Sequence, residues 1–214
     1  MKILFIGNSY TFYNDMPKML EALSIENGKD VEVYSVTKGG RKLYSNLNEG
    51  DEWGEKIRDL CAKNEFDVLF LQEQSYFPIV DEKKFTEGAR ALKELVNAKR
   101  TILYSTWGRS EGCPLLDELS LSSSEMSLAL RDAYRRAAAD IGAELSEVGM
   151  AFEEIKKGAK NISLYANDLS HPSYIGSAVA ALVHYRVVFG DLPSSTASIE
   201  ADDGTMTTIL NILT

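Results

Sequence analysis

The chain has 214 residues, 44% of them hydrophobic and 26% charged, with a formal net charge of −9 and a pI near 4.9. A surface this acidic repels phosphate backbones and anionic headgroups, which argues against nucleic acid and membrane surfaces as partners and leaves neutral ligands such as sugar esters open. The length suits one buried domain over residues 1–214, and the two cysteines, Cys61 and Cys113, form no CxxC pair and lie near no histidine, so neither a disulfide scaffold nor a zinc site is read.

The N-terminus, MKILFIGNSY, opens on an apolar run that breaks at Gly7-Asn8-Ser9. That run is too short for a signal peptide, and nowhere does the chain approach the roughly 18 apolar residues of a membrane span. The expectation is a soluble, cytoplasmic chain, with a leader removed upstream left open. KILFIG (2–7) reads as a buried strand, followed by a helix over Met16–Glu26 with Met16, Met19, Leu20 and Leu23 at helical spacing. VEVYSV (31–36) is the second strand, and Trp53–Ala62 the next helix, through Trp53, Ile57, Leu60 and Cys61. DVLFLQ (67–72) and TILYST (101–106) are further strands on either side of a helix over Phe85–Val96. Trp107–Ser124 is the longest irregular stretch. Beyond it come a helix over Ser124–Ile141, a weaker strand AELSEV (143–148), and a helix over Ser173–Phe189 with Pro172 suited to its first turn. In the tail from Ser194 to Thr214, Asp202-Asp203-Gly204 signals a turn and TTILNIL fits a strand or a short helix. Continuous apolar strands alternating with helices predict an α/β fold: a three-layer α/β/α sandwich around a parallel sheet of about five strands with right-handed crossovers.

Open parallel sheets bind ligands beyond the carboxyl ends of their strands. The segments to inspect are therefore Gly7-Asn8-Ser9, Lys38-Gly39-Gly40, Gln72-Glu73-Gln74-Ser75 and Trp107-Gly108. Ser9, at a strand-to-helix turn, is placed to act as a nucleophile if a base stands beside it; read alone, the same turn also fits a serine that merely caps a helix. The base must come from the two histidines. His184 falls inside the last helix pattern, among apolar neighbours. His171 lies in the polar loop Asn167-Asp168-Leu169-Ser170-His171-Pro172-Ser173, with Asp168 three residues earlier and able to curl back onto the imidazole Nδ1–H. Helix capping by Asp168 or Ser170, with His171 in solvent, fits that loop as well.

Taken together, GNSYT after the first strand and DLSHP before the last helix resemble the SGNH (GDSL-like) hydrolases. Their first block carries the nucleophile serine and their last, DxxH, the aspartate and histidine of a triad. The chain is most similar to a bacterial subgroup with a GNS first block, a QEQS third block and an HPS-type last block, and the resemblance runs over nearly the whole length, including Tyr104-Ser105-Thr106-Trp107 and Glu147-Val148-Gly149. It implies the flavodoxin-like SGNH fold and a serine esterase with Ser9, Asp168 and His171 as catalytic residues. It implies an oxyanion hole from the N–H groups of Ser9 and Gly40 and a side-chain amide after the third strand. The family has Gly-x-Asn there; this chain has Gln72-Glu73-Gln74, so Gln74 is the expected donor and Gln72 the reserve. Neither metal nor organic cofactor is required. The substrates implied are short acyl esters, acetyl groups on carbohydrates among them.

Other roles fit some of the same residues. Glu73 is expected in a salt bridge or helix cap. Lys38, Arg41 and Lys42 around Gly39-Gly40 invite a phosphate site, but no GxGxxG or GxxxxGK[ST] is present. Trp107 fits a pocket wall or the core. A fold-retaining binding protein without activity, and a flavodoxin-like nucleotide binder, are the alternative functions.

Overall fold

The computed structural model describes residues 1–214. Its strands are β1 (Lys2–Gly7), β2 (Glu32–Thr37), β3 (Val68–Leu71), β4 (Arg100–Ser105) and β5 (Glu144–Glu147). Its helices, in chain order, are α1 (Ser9–Phe12), α2 (Met16–Glu26), α3 (Glu52–Lys63), α4 (Phe77–Val80), α5 (Glu82–Val96), α6 (Pro114–Leu119), α7 (Ser123–Ile141), α8 (Val148–Gly158), α9 (Tyr174–Phe189) and α10 (Asp203–Leu213), with 3₁₀ turns at Tyr13–Asp15 and Leu43–Leu47. The five strands form one sheet in the order β2-β1-β3-β4-β5, and every pairing is parallel. This is the expected α/β/α sandwich.

Side chains alternate across a strand, and the two faces of this sheet fill two separate cores. Ile3 and Phe5 of β1, Val68 and Phe70 of β3, and Ile102 and Tyr104 of β4 point to one face, where α2, α8, α9 and α10 cover them. Leu4 and Ile6, Leu69 and Leu71, and Leu103 point to the other, beneath α3, α5 and α7. Burial on both faces is why these strands read as unbroken apolar runs. His184 of α9 lies wholly inside the first core, against Phe5, Phe70 and Tyr104, with Nδ1 2.6 Å from Ser146 Oγ. No helix is long and apolar enough to cross a membrane.

Several elements go beyond the sequence expectation. The irregular stretch contains α6, started by Pro114 in its first turn. The weak fifth strand stops at Glu147, and Val148 begins α8, whose Val148, Ala151, Phe152 and Ile155 face the core. The tail is helical: Asp202 caps α10 and Met206, Ile209 and Leu213 are buried at helical spacing. The last long helix begins at Tyr174 with Ser173 as its cap, and Pro172 lies outside it, bridged to Tyr165.

The direction in which successive strands are added reverses at β1, since β2 lies on one side of it and β3 on the other. In a parallel sheet such a switch point opens a crevice at the strands' carboxyl ends. Ser9 stands there, two residues beyond β1.

Candidate active site

The turn after β1 is fixed by its neighbours. Asn8 adopts an extended conformation and its Oδ1 caps α1 by accepting from Tyr10 N at 3.2 Å, while its Nδ2 donates to Arg41 O at 3.0 Å. Gly7 makes room for this turn: a Cβ there would lie 2.5 Å from Thr11 Oγ1 and 2.8 Å from Gln72 Oε1, displacing both side chains. Ser9 is thus the first residue of α1, and its own N–H has no acceptor within the chain.

The opposite wall is the loop before α9. Asp168 Oδ1 accepts from the backbone N–H groups of Ser170 (3.0 Å) and His171 (2.9 Å), which folds the DxxH segment back on itself. Leu169 takes up a left-handed φ of 61° to complete that turn. The loop is tethered by Ala166 N to His171 O at 2.9 Å, Ser110 N to Leu169 O at 2.9 Å, and Trp107 Nε1 to Ser170 O at 3.1 Å. Asn14, in a left-handed conformation that asparagine tolerates, spans the gap from the other side. Its Nδ2 donates to Pro172 O (3.2 Å), Ser173 O (3.1 Å) and Ser177 Oγ (2.9 Å).

These constraints bring the expected residues into one chain of contacts. His171 Nε2 lies 2.8 Å from Ser9 Oγ, and His171 Nδ1 lies 2.5 Å from Asp168 Oδ2. With Asp168 ionised, Nδ1 is the protonated ring nitrogen and Nε2 is free to accept from the serine. Burial works against the Asp168 carboxylate. The hydrogen bond from the His171 side chain, the N–H groups of His171 and Ser170, and the imidazole charge outweigh it and hold its pKa below the ordinary aspartate value. The Tyr13 ring stacks on the imidazole with centroids 4.2 Å apart, and Tyr10 meets it edge-on at 5.4 Å.

Gly40, at the tip of the loop after β2, has a φ of +67° and an N–H without an acceptor in the chain. The two glutamines differ sharply. Gln72 is 1% exposed; its Oε1 accepts from Asn8 N (2.9 Å) and Thr11 Oγ1 (2.9 Å), and its Nε2 donates to Glu73 O. Its amide is spent on the scaffold, which removes it as the reserve donor. Gln74 faces the cavity, with Nε2 3.3 Å from Ser75 Oγ.

Glu73 is in no ion pair. Fully buried, it receives Leu43 N at 3.2 Å on each oxygen and Gln74 N at 2.6 Å. It thereby straps the segment after Gly40 to the segment bearing Gln74. Burial pushes its pKa up to about 7, against the pull of those N–H groups and of Lys42.

A cavity of about 180 Å³ opens over these groups, lined by Asn8, Ser9, Tyr10, Gly40, Gln74, Ser75, Arg109, Ser170 and His171. Tyr10 and Ser75 belong to the GNSYT and QEQS blocks but were assigned no role there, and Arg109 belongs to no motif. Trp107 is fully buried, stacked between Tyr10 (4.8 Å) and Phe152 (4.3 Å), and so belongs to the core behind the cavity. The basic residues near Gly40 do not form a phosphate cradle. Arg41 is engaged by Asp51, Asn46 and Ser45 O, and the ammonium groups of Lys38 and Lys42 lie over the rings of Trp53 and Phe77.

The chain matches no protein-family model and no curated protein. Among solved structures it is 34% identical to a protein from Slackia heliotrinireducens assigned to the SGNH hydrolases, with a TM-score of 0.77 over 88% of this chain and 98% of that one. A DUF4886 family protein from Bacteroides uniformis matches at 15% identity and a TM-score of 0.77, over 100% of this chain and 94% of the other. The acetyl xylan esterase AlAXEase matches at 18% identity and a TM-score of 0.65, over 88% and 100%. With identity at that level to the first of these, spread over almost its entire length, the chain belongs to the SGNH hydrolase family.

Proposed function

We propose that this hydrolase cleaves short acyl esters through Ser9, His171 and Asp168. The observation that carries the reading is the unbroken contact from Ser9 Oγ through both ring nitrogens of His171 to the Asp168 carboxylate. Ser9 Oγ attacks the ester carbonyl carbon while His171 Nε2 takes its proton. The C–O bond to the alcohol then breaks, the same nitrogen protonates the departing oxygen, and an acyl-serine remains. Water, deprotonated by Nε2, releases the acid and restores Ser9. Asp168 keeps the imidazole in the required tautomer and stabilises the imidazolium. The tetrahedral oxyanion is held by the N–H groups of Ser9 and Gly40 and by the Gln74 amide.

Cavity size supports a short acyl group. About 180 Å³ is below the volume usual for drug-sized ligands and leaves little room for a long alkyl chain. The similarity in fold to an acetyl xylan esterase makes acetylated carbohydrates a natural first panel. The test is a screen of p-nitrophenyl acetate, propionate, butyrate and octanoate together with acetylated sugars, run beside Ser9→Ala. Turnover should fall with chain length and drop by a factor on the order of 10⁶ in the variant. Equal rates for wild type and Ser9→Ala would refute the proposal.

A further inference from the structure

Arg109 brings a positive charge to the Ser9 cavity that no acidic group in the chain answers. It follows β4 by four residues and is the only lysine or arginine lining the cavity, which contains no carboxylate. No aspartate or glutamate lies within ion-pair distance of it, although most of the chain's arginines are so paired. Its Nη2 donates to Ser75 Oγ at 2.8 Å; Nε is shut away from solvent without a partner, and Nη1 has no partner in the chain. The head group is nonetheless held in place. It lies 5.5 Å from the Tyr10 ring centroid, Tyr10 is stacked on the buried Trp107, and Tyr10 Oη is 3.0 Å from Ser170 Oγ. Ser75 Oγ accepts from Gln74 Nε2 as well, which leaves its own proton as a further donor beside the guanidinium.

Partly desolvating a guanidinium and leaving its donors unanswered is costly unless a ligand supplies the acceptors. The net charge of −9 makes the placement more pointed, since an anion gains nothing from the surface at large. A planar fork of N–H donors matches a carboxylate in geometry and charge.

We propose that Arg109 is the anion-recognising group of this cavity, and that the enzyme prefers esters carrying a carboxylate within a few bonds of the scissile carbonyl. The carboxylate sits either on the acyl side, as in a monoester of a dicarboxylic acid, or on the alcohol side, as in an acylated hydroxy acid. The preference rests on the ester-hydrolase reading; the anion site itself does not.

Two matched pairs separate the sources: mono-p-nitrophenyl succinate against p-nitrophenyl butyrate, and 3-carboxyphenyl acetate against phenyl acetate. For wild type, kcat/KM should favour the acidic member of one pair, and that pair names the side. Arg109→Gln should lower the acid-to-neutral ratio about ten- to a hundred-fold, mainly through KM. Arg109→Lys, which keeps the charge but not the fork, should retain part of it. A ratio unchanged by Arg109→Gln, or a preference for the neutral member in both pairs, overturns the proposal. Calorimetric titration with succinate and with succinamide keeps the anion site testable without turnover. Arg109-dependent binding of succinate alone would uphold the site even if no ester were cleaved, an outcome that would instead sink the hydrolase reading. Binding of neither compound in an enzyme that also shows no preference would sink the site.

Discussion

Replacing Glu73 by glutamine should make the protein more stable at neutral pH and leave it nearly unchanged in acid. The side chain is wholly buried, its hydrogen-bond donors are backbone N–H groups, and burial lifts its pKa from the ordinary 4.5 to about 7. Between those two values the folded state holds a proton that the unfolded chain has released. Stability contributed by the protonated form is complete below about pH 4.5 and is lost as pH rises to about 7. At about 1.4 kcal/mol per pH unit, the loss is about 3 kcal/mol. A glutamine fills the same space, keeps an oxygen for the Leu43 and Gln74 N–H groups, and does not titrate.

His184 acts in the opposite sense. Burial among aromatic rings depresses its pKa from 6.5 to about 3, so its contribution is present above 6.5 and is lost as pH falls toward 3. The two slopes cancel in part between about pH 4.5 and 6.5, which is why the difference between variant and wild type, and not the wild-type curve, is the quantity to measure. Urea unfolding of both proteins at half-unit steps from pH 4.5 to 8 gives it directly. The free-energy advantage of Glu73→Gln should grow by about 3 kcal/mol up to pH 7 and then level off. A difference that stays flat, or that shrinks with pH, refutes the buried, proton-holding carboxyl.

Asp168→Asn should lower kcat on the order of 10⁴-fold without unfolding the protein, because the amide favours the wrong imidazole tautomer; ester kinetics and circular dichroism together check it. Gln74→Ala should cost about 10²–10³ in kcat with little change in stability, whereas Gln72→Ala should orphan the buried donors of Asn8 and Thr11 and cost about 1–3 kcal/mol for each in urea unfolding. Equal kinetic losses in the two variants would contradict the division of roles. Gly149→Ala places a Cβ 2.1 Å from Thr106 O and 3.1 Å from Trp107 Cα, so α8 must retreat from the end of β4. The cost should be about 1–3 kcal/mol, read as a lower thermal midpoint.

The strands are legible in the sequence as short unbroken apolar runs because the sheet is buried on both faces, and most of the long helices by apolar residues at helical spacing. The start of α8 is hidden: its β-branched Val148 directly follows β5 and reads as the end of that strand, and helical spacing emerges only when Ala151, Phe152 and Ile155 are counted from it. Ser9 and the Asp168/His171 pair are legible for a different reason. Each sits in a short block with a local geometric purpose, a capped turn after a strand and a loop folded back by its own aspartate. Tyr13 and Arg109 have no such block, and only tertiary packing brings them to the site. The strap made by Glu73 is invisible in the sequence because its partner Leu43 is 30 positions away and backbone N–H groups leave no mark there.

The two glutamines show where period-based reasoning ends. Gln72 and Gln74 have the same parity, so a continuing strand would present both to one side of the sheet. The strand stops at Leu71, however, and from there the neighbouring segments steer the chain. Gly7 leaves room for the Gln72 amide to turn back beneath the β1 turn, where it holds Asn8 and Thr11, while Glu73 pins the chain by accepting Gln74 N. Gln74 is thereby carried past the sheet edge into the cavity. One glutamine builds the turn that presents Ser9 and the other faces the cavity beside Ser9, a division set by a missing Cβ at Gly7 and not by either glutamine's own position in the sequence.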